Sequence, residues 1–482
     1  IMSLKENTIY GVLWSSFEKF GTLSIQFIYM IVMARLLSPS DFGIVGMLTI
    51  FISVGQVILD SGFGQALIRL QKYDDLHFSS IFIINVIMGV LLYGILFYMA
   101  PYISLFYREP SLTLISRISF LIFPINSLSI VQYTLLVKKM DFKSISKISL
   151  FSIILSTISG ITYGYFYPNI FALLIQNVSF YFYRLLLLWY YGNWKLSCRI
   201  SWSKLQDLMP FSFTLLATGF ISTVVGELYS LSIGKFFSSS VLGLYSQAER
   251  FSKIPSFSIT DVVQRVTYPA LSVLQDDDQK LKHSYRMVIM CTFFIVLPVM
   301  LFLFISAGEI FELLFTEKWE QAGTYFKYLC FVAIMYPVNS INLNILKVKG
   351  RNKLILSLEI IRKLIMVIIL VLSIGFGMEG VLIGQIVFSF IQLFFNCYFS
   401  GRQISYNLRS QFLDISPILF LGAGAILVTW YISSIYNSPY VFINIFLKFI
   451  CFFCTYLFLA KFLNLSVLTI FKGVLFSFFK RR

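Results

Sequence analysis

Long apolar runs recur from one end of the sequence to the other, and they decide what the chain can fold into. A bilayer span takes about 20 predominantly apolar residues. Such runs begin near residues 12–37 and 42–68 and finish with 414–436 and 440–464, which gives roughly fourteen transmembrane helices in all. Composition agrees. Of the residues, 58% are hydrophobic and 12% charged, whereas soluble domains run near 45–50% and about 25%. A water-soluble core cannot hide that much apolar surface, so the expected fold is an all-α integral membrane protein. The 52 Phe and 28 Tyr suit lipid-facing walls and interfacial belts. The first run is too long for a cleavable signal peptide and flows into a second span.

The formal charge is +16. In a soluble protein this would suggest nucleic acid; here the positive-inside rule explains it, and no nucleic-acid partner is expected. With the N-terminus inside, the cytoplasmic loops hold Lys138, Lys139, Lys143, Lys147, Lys195, Arg199, Lys347, Lys349, Arg351 and Lys353 among others, while the outside loops hold only Arg35, Arg108, Lys235 and Lys318. An even helix count then places both termini in the cytoplasm, and the tail Lys480, Arg481 and Arg482 agrees.

A repeat divides the chain. Arg35 to Gly43 reads RLLSPSDFG and Lys235 to Gly243 reads KFFSSSVLG, each joining the first two helices of a six-helix block. Six is even, so both blocks enter from the same side and the repeats are parallel. That arrangement places a binding site between halves and permits alternating access. The expected organisation is a six-helix lobe over 1–200, a second over 201–405, and two further helices with a basic tail over 406–482.

These same segments resemble a known family. EKFGT from Glu18, ARLLSPSDFGIVGM from Ala34, LDSGFGQALIR ending at Arg69, and GELYSLSIGKFFSSSVLGLYSQAERF from Gly226 look like the Wzx-type polysaccharide flippases, in the branch that includes colanic-acid exporters. Glu227 and Lys235 stand where that family often has Asp and Arg; both keep their charge. The resemblance implies two six-helix lobes around a cavity, with two extra C-terminal helices. It implies an undecaprenyl-pyrophosphate-linked oligosaccharide as substrate, an O-antigen, capsule or exopolysaccharide repeat unit, moved from the inner to the outer leaflet of a bacterial inner membrane. Membrane lipids and a polysaccharide polymerase machinery are the implied partners. Coupling to H⁺, to Na⁺ or to neither stays open, and no other cofactor or metal is expected.

Charge inside a membrane costs about 2.5–3.5 kcal/mol per residue on insertion scales, so intramembrane ions face a cavity or a partner. Local partners sit at i±3 or i±4. Glu249 and Lys253, Asp261 and Arg265, and Glu359 and Lys363 can neutralise themselves this way. Arg250 has no acid at those spacings, and its guanidinium fork suits phosphate oxygens. Arg250, Lys19, Arg184 and Lys253 are therefore the candidates for the substrate headgroup, although Lys19 and Arg184 read equally as cations snorkelling to the surface. Asp60 and Glu227 have no local base, and Glu18 is flanked by Lys19, which points elsewhere on the helix. Such acids are either ion-coupling sites or partners of a base on another helix, for example Lys19 or Arg250. Arg35, Pro39, Gly43 and Lys235 read as turn architecture, with Pro and Gly setting its geometry.

Other classes fit less well. No catalytic residue is expected: His77 and His283 are the two histidines and both fall in short loops, and Asp276, Asp277 and Asp278 are followed by Lys280 and Lys282 as in a solvated loop. Cys451 and Cys454 form CFFC inside an apolar helix, where buried free Cys is ordinary. A membrane-embedded polyprenyl-sugar transferase or polymerase thus lacks its chemistry. A multidrug or toxin antiporter of the same superfamily would usually stop at twelve helices, and the last two runs weigh against it.

Overall fold

The computed structural model describes residues 4–60, 63–70, 74–192, 194, 200–436, 438–464 and 468. Among them the regular structure is helical throughout. Lys195, Cys198, Arg199, Lys480, Arg481 and Arg482 lie outside the described residues. The chain divides into two compact units, one through Gly243 and one from Leu244.

The first unit opens with α1 (Leu4–Leu36) and α2 (Pro39–Asp60). Ser38 is a helix start of the expected kind. Its hydroxyl donates to the Asp41 carboxylate at 2.6 Å and its backbone N–H donates there at 2.9 Å. Asp41 thus reaches back as the third residue of a capping box, and Pro39 takes the first helical position, where no N–H is needed. The short α3 (Phe63–Arg69) follows. Next come α4 (Asp75–Tyr107), then α5 (Leu112–Ser119), α6 (Ile122–Ser127) and α7 (Ile130–Lys138). Helices α5 to α7 together are long and apolar enough for one span, with a 45° bend before α7. Lys138 at its end donates to the carbonyls of Leu67 and Leu70, both at 2.7 Å, and satisfies the acceptors that α3 leaves open.

Helices α8 (Phe142–Phe166) and α9 (Phe171–Tyr191) complete the six expected spans of the N-terminal block. Ser146, Ser152, Ser156, Gly160 and Gly164 line a buried seam of α8 against α1 and α9. Small side chains let helices approach closely where lipid gives no hydrophobic drive. Helices α10 (Trp202–Gly226) and α11 (Leu228–Phe236) pack against α2 and α4 in the same unit. The former bends by 48° near Pro210.

The repeated turn holds the closest helix crossing. A methyl on Gly43 would lie 1.6 Å from the Ser239 carbonyl oxygen, and one on Gly243 1.8 Å from that of Pro39. Ser40 and Ser239 share a hydrogen bond of 2.7 Å beside it. Both copies of the motif therefore spend their glycine on the same contact.

The second unit contains most of α12 (Ser239–Val273), then α13 (Asp278–Ile305), α14 (Ala307–Leu314), α15 (Glu320–Val348), α16 (Asn352–Ile374), α17 (Gly377–Gln403), α18 (Leu408–Ile435) and α19 (Val441–Phe462). Helix α15 is the most enclosed of the membrane-length helices. The C-terminal pair is fixed to the rest by a Lys448–Glu309 ion pair from α19 to α14 and by Tyr456, whose hydroxyl donates to the Phe294 carbonyl at 3.1 Å.

Among the described residues, 9 helices are long and apolar enough to cross a membrane, or up to 11 with each bent pair counted as one span. The expected fourteen is larger. The difference falls on α1, α12 and α16, which are 33, 35 and 23 residues long but interrupt their apolar runs with polar and charged side chains. They are the helices that hold Glu18, Lys19, Glu249, Arg250, Lys253 and Arg362.

Candidate functional site

Helix α2 carries a polar stripe through an apolar span. Ser53, Gln56 and Asp60 are spaced i, i+3 and i+7, so they share one face over about 10 Å. Each meets a different element of the first unit. Ser53 donates to Glu227 at 3.3 Å. Gln56 donates to the Tyr181 hydroxyl at 3.2 Å and accepts from Asn126 at 2.8 Å. Asp60 borders a cavity of about 490 Å³ whose wall also includes Arg184.

The chain brings these groups together by local rules. Tyr181 and Arg184 are three apart on α9 and so face the same way. Asn126 lies in α6, after Pro124, where the bent span exposes a side chain toward α2. Ser129 fixes it by donating to its Oδ1 at 3.1 Å. The Arg184 guanidinium stacks over the Tyr133 ring at 4.6 Å from the centroid. Arg184 acts electrostatically on Asp60 across the cavity, yet no salt bridge within 4.0 Å joins them among the described residues. The result is a lone cation and a lone carboxylate facing common space, ringed by amides and phenols. Such a site can hold an anionic oxygen on the guanidinium fork and a proton or cation on the acid.

Glu227 sits at the break between α10 and α11, and the helix interruption aims it at α2. Glu18 and Lys19 lie half-buried in α1. Arg250 is exposed on α12. Asp60 thus shares its cavity with Arg184, one of the cations expected at the substrate headgroup, and neither Lys19 nor Arg250 lines that cavity.

A second cavity, of about 290 Å³, lies wholly inside the second unit between α12, α15 and α17. Lys253 lines it in an ion pair with Glu249 at 2.8 Å, the expected i,i+4 partner. The Glu359–Lys363 pair is long, at 3.9 Å, because Arg362 takes the Glu359 carboxylate instead. Arg362 escaped the sequence reading. It is 2% exposed, and besides Glu359 its fork donates to the Asn396 Oδ1 at 2.6 Å and to the Leu358 carbonyl at 3.1 Å. A second basic residue, at i+3 from the same Glu359 that Lys363 meets at i+4, is the available signal.

Of the residues considered for chemistry, Asp277 and His77 serve at helix starts, and His283 lies within α13 rather than in a loop. Asp277 starts α13 by accepting from the Lys280 N–H at 3.0 Å, and Asp278 pairs with Lys349 at 2.6 Å. His77 forms a capping box with Asp74 at the start of α4. Arg35 is exposed at the end of α1, and the Lys235 ammonium lies 4.2 Å above the Phe106 ring.

The model of the polysaccharide biosynthesis protein family matches residues 32–324 of this sequence, more than half of the chain and including both copies of the repeated turn. The chain belongs to that family. Two of its relatives align over most of its length. It is 23% identical to an uncharacterized membrane protein in the cps region of Klebsiella pneumoniae, over 90% of each chain. It is 22% identical to the lipopolysaccharide biosynthesis protein WzxC of Escherichia coli K12, over 87% of this chain and 83% of the other. The resemblance read from the turn motifs is thereby borne out. Among solved structures, the lipid II flippase MurJ in an inward closed conformation superposes with a TM-score of 0.71 at 14% identity, covering 94% of this chain and 100% of that one. An inward-facing multidrug resistance MATE family transporter gives 0.61 at 13% identity, over 80% and 98%. This member of the polysaccharide biosynthesis family therefore has the helical fold shared by those transporters.

Proposed function

We propose that the chain is a flippase that moves an undecaprenyl-pyrophosphate-linked oligosaccharide from the inner to the outer leaflet of a bacterial inner membrane, with both termini cytoplasmic. It works by alternating access of its two repeats, 1–200 and 201–405, and hands its product to polysaccharide polymerase machinery. The observation that carries this reading is the cavity beside α2, where Asp60 and Arg184 share space inside membrane-length helices. A merely structural membrane protein has no reason to bear that cost. Arg184, with Arg250 and Lys19, is suited to the pyrophosphate and to acidic sugars, whereas Lys253 is already spent in its ion pair with Glu249. Asp60, with Glu227 and Glu18, is suited to a coupling H⁺ or Na⁺. Family membership and the names of the relatives support the substrate class.

Deletion in the native host tests the reading. Lipid-linked oligosaccharide should accumulate in the inner leaflet and surface polysaccharide should disappear. Normal surface polysaccharide with altered tolerance to cationic drugs would instead support the antiporter.

A further inference from the structure

The cavity of the second unit is built differently, and two hydrogen-bond relays fix what it offers. The first begins at Arg362, which can only donate. The atom of Asn396 facing it must be the carbonyl Oδ1, at 2.6 Å. The Asn396 amide nitrogen then points the other way and donates to the Asn339 Oδ1 at 2.9 Å. That leaves the Asn339 NH₂, a donor, on the cavity wall. The second relay begins at Glu249, whose ionised carboxylate can only accept. The Tyr245 hydroxyl spends its one proton there, at 3.1 Å. The same hydroxyl must therefore accept from Gln385, whose Nε2 lies 2.7 Å away. That leaves the Gln385 Oε1, an acceptor, on the same wall.

Charge is spent entirely on this orientation. Glu249 is neutralised by Lys253, and Arg362 by Glu359. Neither ion pair leaves net charge for a ligand. Gln392 adds an amide, and Phe257 and Tyr336, stacked at 3.7 Å with a 7° tilt, add an aromatic wall. At about 290 Å³ the cavity is at the small end of the ~300–1,000 Å³ typical of ligand pockets. A fixed donor, a fixed acceptor, an aromatic face and no net charge describe a site for one neutral sugar ring. Its C–H face would lie on the aromatics while a hydroxyl or acetamido group accepts from Asn339 and donates to Gln385.

We infer that this cavity is a monosaccharide subsite for an uncharged pyranose, with Asn339 and Gln385 as binding residues and Arg362 as the positioning residue that orients Asn339. The identification of the ligand as part of the transported oligosaccharide rests on the flippase reading; the binding itself does not.

The test uses the full chain in lipid nanodiscs, titrated with methyl β-glucoside, methyl N-acetyl-β-glucosaminide and methyl β-glucuronide while saturation transfer to the sugar protons is read by NMR. Both neutral glycosides should bind saturably, with the tighter one showing whether a hydroxyl or an acetamido group meets the two amides, and the glucuronide should not. Asn339→Asp, which cannot donate, and Gln385→Met, which cannot accept, should each weaken binding about tenfold, the worth of a typical hydrogen bond. Arg362→Lys keeps the charge but loses the fork, and should narrow the difference between the two neutral sugars. No saturable signal, preference for the glucuronide, or unchanged affinity in both Asn339→Asp and Gln385→Met overturns the subsite. The two readings fail separately. Normal surface polysaccharide in a deletion host would sink the flippase and leave the glycoside titration intact. Loss of polysaccharide on deletion, restored fully by variants that bind glycosides as the parent does, would sink the subsite alone.

Discussion

The two cavities spend charge in opposite ways. Beside α2, Asp60 and Arg184 stand on different helices with no ion pair within 4.0 Å joining them among the described residues, so their charge is available to whatever enters. In the second unit, Glu249 and Lys253 close on each other along one helix, and Arg362 is tied to Glu359 and Asn396. The contrast teaches that counting intramembrane ions does not locate a charged site. What matters is whether a neighbour one helical turn away has already used the charge. The first arrangement suits recognition of an anion, the second orientation of neutral amides.

The largest effect should come from breaking the first arrangement. Arg184→Ala removes the guanidinium that an anionic headgroup would meet, and a hydrogen bond to a charged group is worth about 1.5–3 kcal/mol. Transport of lipid-linked oligosaccharide should fall about 10-fold or more, at unchanged membrane abundance, with Asp60→Asn falling comparably. Full complementation of surface polysaccharide by both variants would remove this cavity from the mechanism. Arg362→Met comes next. It strands the Asn396 carbonyl in a buried setting, which costs about 1–3 kcal/mol. The thermal midpoint of the purified protein should drop by several degrees; an unchanged midpoint would mean that the arginine is idle. Lys253→Ala sharpens the comparison from the other side. Lys253 is half-exposed and its i,i+4 partner is 26% exposed, and such pairs contribute about 0.3–0.5 kcal/mol, so the thermal midpoint should barely move. A fall as large as that of Arg362→Met would show that exposure misjudges this pair.

Much of this was legible before any coordinates. Apolar runs marked the helical stretches because lipid imposes their length. Pro39 and Gly43 read as turn architecture, and Glu249 with Lys253 pairs as spacing predicts. That Asp60 has no base on its own helix is legible from spacing alone. Which helix would supply Arg184 was not legible, because i±3 and i±4 arithmetic describes one helix and is silent on how helices pair. Arg362 was hidden by a pair that already satisfied the rule: Lys363 was in register with Glu359, but Arg362 faces α17 and its fork reaches both Glu359 and Asn396. Length marks α1, α12 and α16 as spans, while their charged side chains keep them out of the 9 to 11 that apolarity alone selects among the described residues.

The smallest effect lies outside the membrane, and its sign can be worked out. Asp74 caps α4 and takes a hydrogen bond from Lys204 of α10 and another from His77. Those donors, Lys204 first, hold its carboxyl well below the usual carboxylate range. A depressed folded-state pKa means that the contact contributes fully above the unfolded value, about 4, and drains away as pH falls beneath it toward the folded-state value. Removing the donor with Lys204→Met should therefore lower the thermal midpoint by a small, constant amount between pH 7 and pH 5. Below about pH 4 the gap between parent and variant should narrow, because protonated Asp74 no longer rewards the ammonium. Asp74 is exposed and screened by salt, so the gap should also shrink as ionic strength rises. A gap that widens on acidification would reverse the sign and show that Lys204 supports α10 by packing its stem rather than by meeting the carboxylate.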